Sequence, residues 1–395
     1  MRILMVNKFL YPNGGSETYI FKLGEYFISQ GHEVQFFGME DERNIVGNRI
    51  NAYTSNMNFH TGKLQKLLYP IKIIYSTEAK KQIRKVLDDF KPDVVHLNNI
   101  NFQITPSIIS EIKKDNLPVV WTAHDYQLVC PNHMMYQLQT KEMCEECLGR
   151  KYTNCTKNRC IHGSLVKSLL GTLEARFYAI KKTYHLVDKV ICPSHFLEKK
   201  LLTDSVFKGK TIALHNFIDE VEWKDIKKGD YVLYFGRFSE EKGIGTLVQA
   251  AKMLPQVSFI FAGKGPLEDQ LSGIDNIQNV GFKTGEELED LIRKAKFSLY
   301  TSEWYENCPF SVMESQMYGT PVIGADIGGI PELIQVGKTG LLYESRNVEE
   351  LVEKIKLLWD NKEMLEEYQE NCKHIQFDTI KTYCEKLIRI YKSEE

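Results

Sequence analysis

Short apolar runs alternate with helical patterns along the whole chain, and the alternation comes in two series. In the first half, the runs that predict strands are Ile3–Val6, Val34–Phe37, Val94–Leu97, Val119–Thr122, Val190–Cys192 and Ile212–Leu214. In the second half they are Tyr231–Phe235, Ser258–Phe261, Phe297–Tyr300, Pro321–Ile323 and Leu341–Tyr343. Strands that are apolar throughout and alternate with helices indicate parallel sheets covered on both faces. The sequence therefore predicts an α/β protein with two Rossmann-like, doubly wound domains.

Helical periodicity fills the segments between these strands. It predicts helices over Glu17–Gln30, Glu78–Asp88, Ile244–Leu254, Gly285–Lys294, Ser311–Tyr318 and Val348–Trp359. Because the polar stretch Asp219–Asp230 separates the two series, we expect one domain over residues 1–218 and a second over 219–374. Residues 130–163 carry turn residues and cysteines with little periodicity, so they are interpreted as an insertion in the first domain. A last helical pattern, Phe377–Tyr391, falls within the remaining segment 375–395.

The length of 395 residues fits two domains, and the distribution of charge separates them. Up to His215 there are 29 Lys and Arg and 20 Asp and Glu, a balance of +9. The remaining residues hold 21 and 32, a balance of −11, for a net charge of −2. Two lobes with opposite charge suggest different partners, and a strong nucleic-acid surface is not expected at this net charge.

No apolar run approaches the ~18–20 residues that a membrane-spanning helix needs. The first residues, Met1–Asn7, contain an apolar stretch too short for a signal peptide and are interpreted as a buried strand. We therefore expect a cytoplasmic protein.

Nine cysteines are present, and five of them fall within 31 positions: Cys130, Cys144, Cys147, Cys155 and Cys160. In a reducing compartment, clustered cysteines favour metal binding or free thiols over disulfides. One interpretation is a structural zinc ion at Cys144, Cys147, Cys155 and Cys160, whose C-x2-C-x7-C-x4-C spacing is not that of a standard zinc finger. One alternative is that the cysteines are reduced thiols in a packed loop. The other is that they form a disulfide or a redox-sensitive lid.

Ligands of open α/β sheets bind beyond the carboxyl ends of the strands, and a glycine-rich segment follows the first predicted strand. In Asn13-Gly14-Gly15-Ser16-Glu17, two glycines permit positive φ and close backbone approach, and the helix N-terminus offers N–H groups to an anion. The alternative is a plain turn with Ser16 as the helix N-cap. The segment is not a G-x-G-x-x-G fingerprint, so a dinucleotide cofactor is not indicated.

Two cations lie at the first strand-to-helix junction of the second series. Arg237 follows the strand, and Lys242 follows a short loop before the helix. Together they can clamp a diphosphate through charge-assisted hydrogen bonds worth ~1.5–3 kcal/mol each. The alternative is two solvated cations neutralised by Glu240 and Glu241.

Two glutamates and a histidine complete the candidate chemistry. Glu306 lies in a loop and Glu314 on the helix that follows, and their carboxylates can accept hydrogen bonds from the hydroxyls of a sugar and a ribose. His124 ends a buried strand of the first series and can contact a reacting sugar. Two ordinary surface glutamates and a structural histidine are the alternatives.

Taken together, these segments resemble the family 4 glycosyltransferases, retaining enzymes of the GT-B fold, over nearly the whole chain. The matching motifs are Gly14-Gly15-Ser16-Glu17, His124-Asp125, Ser194, His215-Asn216, Gly236-Arg237, Lys242-Gly243, Gly263-Lys264-Gly265-Pro266, the Glu306 and Glu314 pair, Gly319-Thr320-Pro321-Val322-Ile323, Gly328-Gly329-Ile330-Pro331-Glu332 and Gly340-Leu341. The resemblance implies two Rossmann-like domains that face an interdomain cleft, with the 375–395 helix packing back on the first domain.

The resemblance also assigns roles to individual residues. Arg237 and Lys242 resemble the diphosphate clamp, and Glu314 resembles the ribose-binding glutamate. Glu306 resembles the residue that holds the hydroxyls of the transferred sugar. His124 resembles the residue near the sugar's 6-position, and Gly15 the glycine whose backbone approaches the diphosphate.

One departure from the family pattern lies in the loop after the first glutamate. Many members have a glycine there, whereas this chain has Cys308-Pro309-Phe310. Because proline has no N–H, a backbone contact at that position is lost. The backbone groups that can still contact the sugar nucleotide are the N–H groups of Phe310 and Ser311.

The implied function is that of a retaining, hexosyltransferase-type glycosyltransferase. It would use a UDP- or GDP-sugar and a glycan or polyprenyl-linked acceptor in cell-surface polysaccharide or glycolipid synthesis. No Asp-x-Asp occurs in the chain, so no cofactor is expected for catalysis. The alternatives are another sugar-nucleotide enzyme of similar fold, such as an epimerase, and a non-catalytic nucleotide-sugar-binding protein.

A basic and apolar segment of the first domain predicts peripheral contact with the inner face of the cell membrane. Here the four cations Lys167, Arg176, Lys181 and Lys182 alternate with five apolar residues, Leu169, Leu170, Leu173, Phe177 and Tyr178. This pattern fits docking on anionic lipid, and it equally fits a core helix with a basic outer face.

Overall fold

The computed structural model describes residues 1–56, 72–224 and 226–394, which fall into two compact units. The first unit comprises Met1–Asn216 together with Ile380–Glu395, and the second comprises Phe217–Thr379. The division therefore comes two residues earlier than the sequence predicts, and the second unit continues to Thr379 instead of ending at residue 374.

The first unit contains a six-stranded parallel sheet. The strands of this unit are β1 (Arg2–Val6), β2 (Glu33–Phe37), β3 (Val94–Leu97), β4 (Val119–Thr122), β5 (Tyr136–Gln137), β6 (Glu142–Met143), β7 (Lys189–Cys192) and β8 (Thr211–Ala213). The sheet order is β2-β1-β3-β4-β7-β8, whereas β5 and β6 form a separate antiparallel pair. Every neighbouring pair in the large sheet is parallel, and the strand order reverses between β1 and β3. Such a reversal opens a crevice at the carboxyl edge of the sheet.

A second six-stranded parallel sheet forms the centre of the other unit. Its strands are β9 (Val232–Arg237), β10 (Phe259–Lys264), β11 (Ile277–Gly281), β12 (Phe297–Tyr300), β13 (Val322–Ala325) and β14 (Gly340–Tyr343). The order β11-β10-β9-β12-β13-β14 reverses between β9 and β12. The prediction of two doubly wound α/β domains is confirmed. The sequence pattern missed β11, an edge strand whose Gln278 and Asn279 are exposed.

Helices connect the strands in both units. In the first unit the longer ones are Gly15–Ser29, Thr77–Phe90, Leu165–Ile180, His195–Leu201 and Ile380–Lys392, with short ones at Ile109–Ile112 and Thr153–Lys157. In the second unit they are Ile244–Lys252, Gly285–Lys294, Phe310–Met317, Val348–Asp360 and Lys362–Cys372. Among the residues that the structure describes, no helix combines the length and apolar character needed to cross a bilayer.

The polar stretch predicted as the join belongs to the second unit. The Trp223 ring lies against Gly319, where an added Cβ would approach it to 2.2 Å. Lys228 Nζ donates to the Gly319 carbonyl at 2.9 Å, and Arg293 Nη2 donates to the Glu222 carbonyl at 3.1 Å. These side chains anchor the backbone of the segment to the unit.

The helix Ile380–Lys392 is part of the first unit. Its Tyr383 hydroxyl lies 2.9 Å from the Tyr19 hydroxyl, and its Tyr391 hydroxyl lies 2.6 Å from His96 Nδ1. The opposite ring nitrogen of His96 lies 2.8 Å from Thr122 Oγ1. All five side chains are fully buried or nearly so, so this polar network ties the helix to strands β3 and β4.

His96 should make the stability of the first unit depend on pH. Burial, with a smaller contribution from His124, lowers the pKa of His96 to about 3 from its ordinary value of 6.5. Below pH 6.5 the unfolded chain therefore binds a proton at this histidine, whereas the folded chain binds it only near pH 3. The free energy of unfolding falls as pH falls through this window. Between pH 7 and 5 this one residue should remove about 2 kcal/mol from the free energy of unfolding.

Urea unfolding of the first unit at pH 7 and pH 5 checks this value. His96→Gln should lose about 2 kcal/mol of the pH dependence, whereas His374→Gln, at an exposed site in the second unit, should keep all of it. An unchanged pH dependence in His96→Gln would contradict the assignment.

Candidate active site

The crevice of the second sheet is formed by the loops that follow β9 and β12. Because these two strands are adjacent and parallel, their following loops meet at one edge of the sheet. The Thr301 hydroxyl donates to the Lys242 carbonyl at 2.9 Å, and the Glu303 amide donates to the Glu241 carbonyl at 2.8 Å. These hydrogen bonds join the two loops.

Lys242 and Glu306 form an ion pair across this crevice. Lys242 Nζ lies 2.5 Å from Glu306 Oε1, and the same oxygen accepts from Trp304 Nε1 at 2.6 Å and from the Ser302 hydroxyl at 3.2 Å. The two charged side chains are 23% and 15% exposed, so the pair is largely shielded but still reached by solvent. The structure thus brings together one predicted phosphate ligand and one predicted sugar ligand.

Both members of the pair are held in their charged forms. Burial lowers the pKa of Lys242, but attraction to Glu306 and Tyr300 and the hydrogen bond to Glu306 together outweigh it, so the pKa lies above its usual range. Burial raises the pKa of Glu306, but Lys242, Trp304 and Ser302 outweigh it, so the pKa lies below its usual range. At neutral pH Glu306 is therefore ionised and acts as a hydrogen-bond acceptor.

Two glycines fix the backbone on either side of the pair. Gly243 has φ +71°, and a Cβ there would lie 1.9 Å from the Thr301 carbonyl oxygen. Gly328 has φ +63°, and a Cβ there would lie 2.4 Å from the Glu306 carbonyl oxygen. The neighbouring Gly329 amide donates to that same oxygen at 2.7 Å. Close approach of the loops requires glycine at positions 243 and 328.

The remaining predicted donor ligands of this unit lie at the same edge of the sheet or on the next helix. Arg237 is the last residue of β9, exposed and in register with Lys264 at the end of β10. The helix Phe310–Met317 begins directly after Pro309, so the amides of Phe310 and Ser311 lie in the first turn, where no intrahelical acceptor exists. Glu314 follows in the second turn of this helix.

His124 lies just after β4 in the first unit. Its Nε2 lies 2.9 Å from Asn98 Oδ1, and its ring packs edge-on against Tyr19 at 4.9 Å between centroids. Because a carboxamide oxygen only accepts, Nε2 carries the hydrogen. Burial lowers the pKa of His124 to about 3, so the ring is neutral at physiological pH.

The glycine-rich segment of the first unit differs from expectation in its backbone. The helix begins at Gly15, and its N-cap is Gly14, which is extended at φ −176°. Ser16 is therefore not the N-cap, and neither glycine uses the left-handed region. The Ser16 hydroxyl instead donates to Glu17 at 3.0 Å and accepts from Asn99 Nδ2 at 2.9 Å.

Several residues at these two sheet edges were not among the site residues that the sequence motifs predicted. Trp304 and Ser302 hold Glu306, and Asn98 holds His124. Lys8 lies just after β1, where its Nζ donates to Asn101 Oδ1 at 2.9 Å and lies 4.5 Å from the centre of the Phe9 ring. Each residue comes within six positions of a strand's carboxyl end, and this location is the signal that could have found them.

The buried cysteines of the insertion form thiol pairs. The Cys147 thiol hydrogen-bonds to Cys130 and lowers the pKa of Cys130, and the Cys155 thiol acts in the same way on Cys160. Cys144, by contrast, is partly exposed. The buried set therefore contains Cys130 where the sequence suggested Cys144.

Zinc at Cys144, Cys147, Cys155 and Cys160 stays a prediction. Within residues 1–56, 72–224 and 226–394, no group of three or more His, Cys, Asp or Glu side chains has an arrangement suited to a metal ion. The alternative of reduced thiols in a packed loop stays open beside it.

Comparison with known proteins places these features in a family. Residues 13–222, more than half of the chain, match the model described as Glycosyltransferase Family 4, and residues 218–375 match that described as Glycosyl transferases group 1. A 42.6 kDa uncharacterized protein from a cps region of Klebsiella pneumoniae is 26% identical over 85% of this chain and 88% of its own.

Two solved structures share the fold. The Anabaena protein HepE, in complex with UDP and glucose, superposes with a TM-score of 0.71 at 17% identity, covering 100% of both chains. Sucrose-phosphate synthase from Thermosynechococcus elongatus gives a TM-score of 0.72 at 16% identity, covering 99% of this chain and 98% of its own.

Metal analysis tests the cysteine insertion. We expect less than one zinc ion per chain in protein purified without chelator, and nine reactive thiols after denaturation. One zinc per chain that is lost in Cys130→Ser would contradict the packed-thiol interpretation and assign a metal to the buried set.

The close approach at Gly243 gives a stability test of the crevice. Gly243→Ala should lower the free energy of unfolding by about 2 kcal/mol or more, because its Cβ would overlap the Thr301 carbonyl and its φ is positive. Gly245→Ala is the matched control, since no atom lies within 4 Å of an added Cβ there and alanine favours a helix by up to about 1 kcal/mol. Equal stability of the two variants in urea unfolding would refute the steric argument.

Proposed function

Because the chain belongs to glycosyltransferase family 4 and has the GT-B fold, we propose that it transfers a hexose from a nucleoside-diphosphate sugar to a glycan or polyprenyl-linked acceptor. We propose further that the donor is a UDP- or GDP-sugar and that the anomeric configuration is retained. The product would belong to cell-surface polysaccharide or glycolipid synthesis. No metal or other cofactor takes part in the proposed reaction.

The observation that carries this proposal is the Lys242–Glu306 ion pair at the switch point of the second sheet. A diphosphate needs a cation, and a sugar needs a charged acceptor for its hydroxyls. When a donor binds, a phosphate oxygen replaces or joins Glu306 as the partner of Lys242, which frees Glu306 for the sugar. The ion pair thus holds the side chains of Lys242 and Glu306 in position before the donor arrives.

Departure of the nucleoside diphosphate creates negative charge that the second unit is equipped to stabilise. Lys242, the exposed Arg237 and the amides of Phe310 and Ser311 all lie near the carboxyl edge of the sheet. Cations and helix N-termini that are fixed before reaction stabilise a developing anion without reorganisation. In this proposal Glu314 binds the ribose hydroxyls.

The two predicted ligands of the first unit enter the proposal through the family resemblance. His124 is neutral, so it can exchange hydrogen bonds with a sugar hydroxyl without adding charge. Gly15 opens the helix Gly15–Ser29 and carries no side chain that would keep a diphosphate from the backbone.

The proposed bond changes need no protein base. The bond between the anomeric carbon and the phosphate oxygen breaks, and the acceptor oxygen bonds to that carbon on the same face. The acceptor's proton passes to the departing phosphate. Since Glu306 is ionised and accepts hydrogen bonds, we assign it to sugar binding and not to proton donation.

Two relatives support the choice of substrates. The Anabaena protein was solved with UDP and glucose, which supports a UDP-sugar donor. The Klebsiella pneumoniae relative is encoded in a cps region, which supports a role in polysaccharide synthesis.

Loss of either member of the ion pair should impair turnover. Lys242→Ala and Glu306→Ala should each lower kcat/KM by about 10–100-fold, because each removes a charge-assisted contact worth ~1.5–3 kcal/mol. The exposed pair Lys294–Asp290 gives matched controls, Lys294→Ala and Asp290→Ala, whose kinetics should stay as in the wild type. Near-normal kinetics in both site variants would refute the assignment.

Radiolabelled sugar nucleotides separate this function from its alternatives. Transfer to an acceptor, or slow hydrolysis of the donor, is expected. Recovery of an epimerised donor would establish a sugar-nucleotide epimerase. Saturable donor binding with no turnover, across a panel of donors and lipid-linked acceptors, would establish a binding protein.

A further inference from the structure

The helix Leu165–Ile180 is oriented with its apolar face outward. A surface helix normally buries its large apolar side chains and exposes its small and polar ones. Here the buried positions are Ser168, Gly171, Thr172, Glu174 and Tyr178. The exposed positions include Leu165 (52%), Val166 (67%), Leu169 (45%), Leu173 (45%) and Ile180 (80%).

The small face packs tightly on the cysteine insertion. A Cβ at Gly171 would lie 2.6 Å from Ile161 Cδ1 and 3.3 Å from the Pro131 carbonyl oxygen, so the glycine lets the helix pack closely here. Thr172 Oγ1 donates to the Tyr152 carbonyl at 3.0 Å, and Ser168 Oγ accepts from the Ile161 amide at 2.9 Å. These contacts fix the rotation of the helix, so the outward position of the leucines is set by the fold and is not a loose surface arrangement.

The outward apolar side chains form one continuous stripe. At 100° per residue, an arc of about 100° contains six of them: Val166, Leu169, Leu170, Leu173, Phe177 and Ile180. Leu170 and Phe177 are half-buried within this arc. Tyr178, which the sequence pattern assigned to this surface, instead faces inward and donates to the Ile74 carbonyl. A continuous apolar stripe on a surface marks an interaction site.

Cations lie along both margins of the stripe. Arg176 is on one side, and Lys167 and Lys181 are on the other; all three are exposed, as is Lys182 just beyond the helix. The only acidic residue of the helix, Glu174, falls by the same spacing between Lys181 and Lys167, but its side chain is buried, and burial raises its pKa to about 8. The exposed face of the helix is therefore apolar in the middle, positive at its edges and without a carboxylate.

We propose that the helix Leu165–Ile180 is a docking surface that seats the first unit on an anionic lipid bilayer. The apolar stripe enters the boundary between headgroups and acyl chains, and the flanking cations contact lipid phosphates. An interfacial helix has this combination of features. The charge fits an anionic bilayer better than a second copy of the chain, because two copies of this face would bring the same cations together. Docking does not depend on the proposed reaction, so each can fail separately.

Vesicle flotation without donor or acceptor tests the proposal. The protein should float with vesicles of phosphatidylcholine and phosphatidylglycerol, less at high salt, and little with phosphatidylcholine alone. The double variant Leu169→Ser, Leu173→Ser should weaken partitioning at least tenfold. Lys181→Gln combined with Lys182→Gln should weaken it about tenfold at low salt. The matched control Leu357→Ser, at a 40% exposed leucine of the second unit, should partition as the wild type does.

A variant that gains a signal on docking distinguishes loss of docking from misfolding. Leu173→Trp places an indole in the stripe, and its fluorescence should shift to the blue with anionic vesicles and not with phosphatidylcholine vesicles. Absence of wild-type flotation, equal flotation of the leucine variant, or an unshifted indole would each overturn the proposal. A wild-type dimer that Leu169→Ser, Leu173→Ser makes monomeric, without vesicle binding, would assign the stripe to a second copy.

Discussion

Both sheets are parallel in every neighbouring pair, and this constraint determines where the chemistry of each unit lies. In a parallel sheet all carboxyl ends share one edge, and the connecting helices cover both faces. Where the strand order reverses, two adjacent loops diverge and leave a crevice. In the second unit these loops carry Lys242 and Glu306. In the first they carry Lys8 and the asparagines after β3, with His124 in the loop after the next strand, β4.

The electrostatics of the two edges differ in a way that suits different tasks. In the second unit a largely shielded lysine and glutamate keep each other charged, so burial does not neutralise either one. In the first unit burial without a carboxylate partner keeps His124 and His96 neutral. A charged pair is thus available where a diphosphate is proposed to bind, whereas the two histidines of the first unit are neutral hydrogen-bonding groups.

The sequence predicted the fold well because buried parallel strands have a strong apolar pattern. It missed β11, whose polar residues at an exposed edge give no such pattern. The candidate ligands Lys242 and Glu306 were found by motif, but their pairing was not, since 64 positions separate them and only the strand order brings them together. Likewise, cysteine spacing grouped Cys144 with Cys147, Cys155 and Cys160, and it could not show that Cys130 is buried while Cys144 is partly exposed.

The last described helix has a consequence for synthesis of the chain. Tyr383 and Tyr391 complete a buried polar network with Tyr19 and His96, yet the ribosome makes them only after the whole second unit. His96 and Tyr19 therefore lack these two partners, and are not yet covered by the last helix, while residues 217–379 are synthesised and fold as a unit of their own. During translation the unit that begins first is completed last, and until then the surface that the helix Ile380–Lys392 covers is exposed to contacts that favour aggregation.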